Sequence, residues 1–298
     1  MRQFVIDTEP DSKGLVNLTG KDYRYIRQVL RLNVGDMIKA AVKDRTVDAT
    51  LCRIDESKKI ITLQLCDTQK KITNNADNTD SARITNNACV TNNARPEFYL
   101  LQFIPKPQKM ELIIRQAVEE GVSAIIPVIG EYTQKGSEKS LTKKTSSDTE
   151  RHDRMTRSDR IERIIKEARQ QSGSPVETKI FEPVNLKDAL EIIKDKVDHT
   201  NEENKKSVCI SLYERNEDSV SVFEAVGRQK KEGSIGFAVC AVGSEGGISP
   251  DEIQLLKNAG FSTVHLDVNI LRCETASLYG MAVLQTAVLE GNVWQLNE

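Results

Sequence analysis

Residues 239–276 read V-C-A-V-G-S-E-G-G-I-S-P-D-E-I-Q-L-L-K-N-A-G-F-S-T-V-H-L-D-V-N-I-L-R-C-E-T-A, and their punctuation decides the fold. The apolar run 235–242, bounded by glycine, predicts a buried strand. Ser249, Pro250, Asp251 and Glu252 then carry four helix-start signals: a Ser cap, Pro at the first helical position, acids in the first turn, and Glu three residues after the cap. Ile253, Leu255 and Leu256 continue the helix, and Gly260 supplies a left-handed stop. Residues 261–266 predict the next strand, and after a loop over 267–272 a final helix carries residues 276–289. Two loops therefore leave the C-terminal ends of two strands, where open α/β sheets bind ligands.

Upstream, the same alternation begins at Phe98. Strands are predicted over 98–104, 123–128, 177–181 and 208–213, and helices over 109–120, 159–171, 186–196 and 220–227. Strands alternating with helices mean a mainly parallel sheet covered on both faces. The fold class is α/β over 97–298, interrupted by a polar stretch at 134–158 that reads as a mobile loop. At 298 residues the chain has room for about two domains. Residues 1–70 form the other one, with short apolar or alternating runs at 37–42, 47–54 and 60–65 that read as a small β-rich unit. Between them, 71–96 repeat the pattern Thr-Asn-Asn-Ala three times at irregular spacing, which reads as a linker insertion.

One helix, over 21–31, interrupts the β-rich unit. Tyr23, Ile26 and Leu30 share one face, and Arg24, Arg27 and Arg31 share another by the same i, i+3, i+7 spacing. Residues 20–45 hold seven Lys or Arg against three acids, and 135–169 hold eleven against seven. Each patch is either a phosphate-facing surface or a solvated helix face. The whole chain carries 42 Lys plus Arg and 44 Asp plus Glu, so nucleic-acid affinity has to come from such patches and not from net charge.

The chain has no apolar run of membrane-spanning length and no signal-peptide core at its start, so a soluble cytoplasmic protein is expected. Cys52, Cys66, Cys89, Cys209, Cys240 and Cys273 are scattered without a C-x-x-C pair and read as reduced, mainly core residues. His152, His199 and His265 stand far apart, and no metal site is expected.

The loop Gly243-Ser244-Glu245-Gly246-Gly247 is neither the dinucleotide fingerprint nor a phosphate loop. Its glycines permit close approach of a ligand to the backbone, or simply a tight turn. The second loop sets Ile270 and Leu271 beside Arg272, followed by Glu274 and Thr275. Aliphatic side chains and backbone amides suit a flat adenine ring. Arg272 has the planar fork to hold a phosphate or an anionic base, or to pair with Glu274 or another acid. No Ser/His/Asp set, Cys/His pair or carboxylate pair at a defined spacing is visible, so positioning of two ligands fits better than hydrolysis.

These blocks, V-G-S-E-G-G-I-S-P-D-E, A-G-F and N-I-L-R-C-E-T-A in this order, resemble the C-terminal signature of the RsmE-type 16S rRNA uracil-N3 methyltransferases of the SPOUT superfamily. The blocks at 109–128 and 163–173 resemble that family's other characteristic segments, and R-Y-I-R-Q-V-L-R-L-N-V-G-D at 24–36 resembles its N-terminal PUA-like RNA-binding barrel. The resemblance implies a parallel sheet tied in a deep trefoil knot, a homodimer, S-adenosylmethionine as methyl donor, and 16S rRNA or the small ribosomal subunit as partner. It makes Gly243, Glu245, Gly246, Gly247, Leu266, Ile270 and Leu271 cofactor-lining candidates, Arg272, Glu274 and Thr275 candidates for the acceptor side, and Arg24, Arg27 and Arg31 candidates for gripping RNA. Ser244 stands where the family usually has Pro, and Cys273 where Thr is common. The alternatives are methylation of another rRNA or tRNA position and a non-catalytic RNA-binding or assembly factor on the same fold. A nicotinamide enzyme is a distant third, because the glycine spacing is wrong.

Overall fold

The computed structural model describes residues 3–6, 10–11, 14–42, 45–66, 95–142, 157–215 and 218–290. The Asn-rich repeat, residues 143–156 of the polar stretch, and His152 and Cys89 lie outside the described residues. The chain divides into two compact units, Met1–Arg95 and Pro96–Glu298.

The first unit is a five-stranded sheet. Its elements are β1 (Gln3–Ile6), β2 (Leu15–Leu18), α1 (Gly20–Arg24), a π-helical stretch (Tyr25–Leu30), β3 (Met37–Val42), β4 (Arg45–Asp55) and β5 (Ile60–Cys66). The order is β1-β3-β4-β5-β2, antiparallel except for the β1–β3 pair. Alternate residues face a core of Phe4, Val16, Leu18, Ala49, Leu51, Ile61 and Leu63, which Ile26 completes from the helical segment. β1 and β2 escape sequence reading because four residues are too few to show a period. Cys52, expected in a core, is exposed. Val47, Ala49 and Leu51 are the inward residues of β4, so Cys52 falls on the outward side of the alternation, and the register shift between Leu51 and Arg53 does not bring it in.

The arginine stripe also changes. The helix widens into its π-helical stretch at Tyr25 and ends at Arg31, which adopts a left-handed φ of 55°. Arg24 and Arg31 are exposed. Arg27 instead folds back, donating to the Leu32 carbonyl at 2.9 Å and pairing with Glu56 at 3.1 Å. An i, i+3, i+7 face exists only while the helix keeps its α period, which is why three arginines on one predicted face do not form one row.

The second unit contains β6 (Glu97–Phe103), α2 (Pro107–Glu119), β7 (Ala124–Ile129), a 3-10 turn (Glu138–Ser140), α3 (Arg157–Ser172), β8 (Lys179–Ile180), β9 (Val184–Asn185) and α4 (Leu186–Glu202). They are followed by β10 (Lys206–Leu212), α5 (Val222–Lys230), β11 (Ile235–Val242), α6 (Pro250–Asn258), β12 (Ser262–Val264) and α7 (Cys273–Glu290). Every strand pair in its seven-stranded sheet is parallel, in the order β12-β10-β11-β6-β7-β8, with β9 also on β7. β11 lies inside the sheet, and all of its residues but Gly236 are buried, as a strand covered on both faces requires. One face packs on α2, α3, α5 and α7 through residues such as Ile113, Ile164, Ala225 and Leu284. The other packs on α4 and α6 through Ala189, Ile193, Ile253 and Leu256.

Residues 134–142 are short turns that bury Ser137 and Leu141. Arg169, counted in the second basic patch, is buried and donates to the carbonyls of Ser174 and Pro175. Arg160 pairs with Glu111 at 2.8 Å. Among the described residues no helix is long and apolar enough to cross a membrane, and no group of three or more His, Cys, Asp or Glu could hold a metal ion.

Glu120, at the end of α2, has a buried Oε1 without a hydrogen-bond partner among the described residues. Burial, and then the charge of Glu119, push its carboxyl up to about 8 from 4.5. The folded state therefore keeps a proton that the unfolded chain releases above its ordinary value. Stability falls as pH rises from about 4.5 to about 8, and the loss is complete above that window. Glu120→Gln is expected to stabilise the protein by on the order of 2 kcal/mol at pH 8, allowing for partial exposure, and by almost nothing at pH 4.5. Melting temperatures of both proteins across that range check it; a pH-independent difference contradicts it.

Candidate active site

β6, β10, β11 and β12 are neighbours in the sheet and run the same way, so the segments that follow their C-terminal ends meet at one edge. A cleft of about 450 Å³ opens there. Its floor is the loop Gly243–Gly247 after β11. One wall is the stretch from His265 to Cys273 between β12 and α7, and Tyr213 and Glu214 after β10 and Lys109 of α2 complete it. Of the residues singled out in the sequence, Gly243, Glu245, Gly246, Gly247, Leu266, Ile270, Leu271 and Arg272 all line this cleft. Glu274 and Thr275 stand in the first turn of α7, which begins three residues earlier than predicted.

The first loop is a tight structure that only glycine permits. The Gly247 amide donates to the Ser244 carbonyl at 3.0 Å, and Gly247 has a φ of +80°. A Cβ on Gly243 would stand 2.5 Å from the Gly247 carbonyl carbon, and one on Gly246 would stand 2.8 Å from Cβ of Tyr132. Close approach of backbone to backbone is thus the reason for Gly243, and Tyr132 seated on Gly246 the reason for that glycine.

Two buried polar groups hold the loop from beneath. Gln102 of β6, fully buried, donates to the carbonyls of Phe103, Val242 and Gly243 at 2.9, 3.3 and 3.2 Å, and accepts from the Ser277 hydroxyl of α7 at 2.6 Å. Beyond the loop the predicted capping box is present: the Glu252 amide donates to the Ser249 hydroxyl at 3.3 Å, and Glu252 accepts from the Ser249 amide at 2.9 Å. Glu252 also accepts from the Glu131 amide at 2.7 Å, fastening the segment after β7 to α6.

At the mouth the sequence reading missed Lys109. Its ammonium lies 3.2 Å from Glu274 and 3.5 Å from Glu245, and donates to the Cys273 sulfur at 3.8 Å. The Cys273 thiol in turn donates to Glu274 at 3.2 Å, and the Lys106 amide donates to Glu245 at 3.2 Å. Burial pulls the Lys109 ammonium down, but the hydrogen bond to Glu274 and the charges of Cys273, Glu274 and Glu245 outweigh it and hold the group above the ordinary lysine range. Burial pushes Glu274 up, yet its own amide, Cys273 and Lys109 hold its carboxyl below the usual range. Burial, then the Glu274 hydrogen bond, push the Cys273 thiol up to about 12, so it stays protonated.

Arg272 is exposed, and its pairing with Glu274, one of the readings left open by the sequence, does not form: that carboxylate is taken by Lys109. Ile270 is 89% exposed at the rim. His265 sits 3.4 Å from the Tyr213 carbonyl through Nδ1. The site brings together apolar walls and bare backbone and, among the described residues, a buried Ser244 hydroxyl with no partner and an unengaged guanidinium. Such a surface can hold a largely uncharged flat ligand and offer positive charge to a second one.

Comparison with known proteins agrees with this geometry. A family model described as an RNA methyltransferase domain matches residues 92–285. The ribosomal RNA small subunit methyltransferase E of Bacillus subtilis is 25% identical over 281 residues, covering 93% of this chain and 92% of that protein. The protein of the same name from Aquifex aeolicus is 30% identical over 175 residues, 59% of this chain and 62% of the relative's length. Among solved structures, the ribosomal RNA small subunit methyltransferase E of Neisseria gonorrhoeae bound to S-adenosyl methionine superposes with a TM-score of 0.66 at 22% identity, over 96% of this chain and 97% of that one. With well over half of its length matched by the family model, the chain belongs to the RNA methyltransferase domain family.

Proposed function

We propose that this protein transfers a methyl group from S-adenosylmethionine to N3 of a uridine in 16S rRNA of the small ribosomal subunit. The observation that carries the reading is the cleft at the C-terminal edge of the sheet, where a backbone-lined glycine loop faces the Arg272 guanidinium. The cofactor fits it: Gly243 leaves no room for a side chain beside Gly247, the Ser244 hydroxyl is buried without a partner among the described residues, and Leu266 and Leu271 line the space. Gly243, Glu245, Gly246, Gly247, Leu266, Ile270 and Leu271 would hold the cofactor. Bound there, it supplies an electrophilic methyl group on a sulfonium.

The chain's own part is alignment and charge. An in-line displacement depends on holding donor and acceptor in register, which the fixed loops provide. As N3 of the uracil gives up its proton to solvent water, negative charge spreads over the ring carbonyls, and Arg272 would stabilise it. Glu274, held as a carboxylate below its usual range, is a weak base; with Thr275 it shapes the acceptor side. Arg24 and Arg31, exposed on the first unit, would hold RNA phosphates, with Arg27 supporting them from its bond to Glu56.

The same reading includes a trefoil knot in the parallel sheet, a PUA-like first unit at 1–70 joined through 71–96 to the methyltransferase unit at 97–298, and work in the cytoplasm on ribosomal RNA. It also includes a homodimer, supported by Leu112 of α2 and Leu278 and Tyr279 of α7, large apolar side chains left exposed on two helices that pack together. The relatives that share the name ribosomal RNA small subunit methyltransferase E support the substrate. Nucleoside mass spectrometry of small-subunit rRNA from cells with and without the gene tests the function: loss of 3-methyluridine is expected, and an unchanged methylation profile rejects it.

A further inference from the structure

We infer that Lys109 is a positioning residue that latches the two loops of the cleft onto each other and, by engaging Glu274, leaves Arg272 free to face the acceptor. The inference rests on the methyl-transfer reading only for its catalytic consequence; the latch itself is geometric.

Lys109 belongs to neither loop. It sits on α2, and its ammonium reaches Glu245 of the first loop at 3.5 Å and Glu274 at the end of the second at 3.2 Å. Its side chain is 30% exposed, and those of Glu245 and Glu274 are 31% and 15% exposed, so the group is partly shielded from water. Two carboxylates converging on one cation would repel each other without it. Among the described residues the Cys273 thiol, between Lys109 and Glu274, and the Lys106 amide, on Glu245, complete the polar groups facing the latch, and Arg272 at the loop end makes no bond to it. Each loop alone has further supports, Gln102 and Ser277 for the first and the α7 first turn for the second. Among the described residues Lys109 is the cation that both loop carboxylates share.

The role separates from simple structural support by its pH signature. Lys109→Met removes the cation and keeps the apolar stem. Glu245 and Glu274 then lose their shared cation, and Glu274, which Lys109 helps hold below the usual carboxylate range, takes up a proton at higher pH than before. In calorimetric titrations with S-adenosylmethionine, Lys109→Met is expected to weaken binding about tenfold near pH 7, to shift the acid limb of the affinity profile upward by about one pH unit, and Lys109→Arg to restore most of both. Amide hydrogen exchange on the ligand-free protein gives the second readout: Lys109→Met should speed exchange in 243–247 and 266–276 together, whereas Glu245→Gln should act mainly on 243–247. Unchanged exchange in either loop of Lys109→Met, or binding lowered by the same factor at every pH, overturns the latch. If the unaltered protein binds no S-adenosylmethionine, the cofactor reading fails by itself, and the exchange data still decide the latch.

Discussion

Arg272→Ala is expected to lower methyl transfer to 16S rRNA by roughly 10²–10³-fold while the dissociation constant for S-adenosylmethionine changes by less than about threefold. The side chain lies at the rim of the cleft, exposed, and the neighbouring carboxylate is committed to Lys109. Truncation therefore leaves no buried charge stranded and does not disturb the glycine loop. In the proposed reaction it removes the cation that would stabilise charge developing only as the acceptor nitrogen loses its proton. Lys at this position should recover little, because a point charge lacks the planar fork that spans a ring edge. Initial-rate kinetics alongside calorimetry separate the two effects. Equal losses in cofactor affinity and turnover would move Arg272 to the donor side.

Gly243→Ala is the second large effect, and it is expected to act in the opposite way. The added methyl carbon would stand 2.5 to 2.7 Å from the carbonyl carbon, Cα and carbonyl oxygen of Gly247. All three are backbone atoms, so no side chain can swing aside, and the turn has to open. Cofactor affinity should fall by about 100-fold or more, which is about 2.7 kcal/mol, with a stability loss of about 1–3 kcal/mol from overpacking. Gly260→Ala is the matched control. Gly260 also has a positive φ, +86°, but nothing lies within 4 Å of its added carbon. That variant should lose about 1 kcal/mol of stability and keep cofactor binding. Calorimetry on both, with melting curves, checks the pair; full affinity in Gly243→Ala contradicts the close-approach argument.

The parts of the molecule legible in the sequence are those written in local chemistry. β11 is a glycine-bounded apolar run, and α6 announces itself through a Ser cap, Pro and a Glu three residues on, all of which stand as read. The meeting of the two loops followed from strand polarity alone. Lys109 was not legible as a site residue because its partners lie far along the chain, Cys273 being 164 residues away, and no local pattern encodes such a contact. Gln102 likewise reads as a polar interruption in a strand until the Gly243 carbonyl, 141 residues on, is placed above it. The arginine face failed for another reason. Its spacing presumed an α period, and the helix turns π-helical at Tyr25 and closes in a left-handed residue at Arg31. Cys52 is the strand counterpart: it sits in an apolar run, but the inward residues Val47, Ala49 and Leu51 leave it on the outward side.

The most direct measurement supplies the purified protein with S-adenosylmethionine labelled on its methyl group and with 16S rRNA or small subunits, then locates the label by mass spectrometry of the digested RNA. Label is expected at N3 of a single uridine with the unaltered protein and almost none with Arg272→Ala, although that variant still binds the cofactor. Label on another atom or another nucleotide, or undiminished label with Arg272→Ala, would contradict the proposed function.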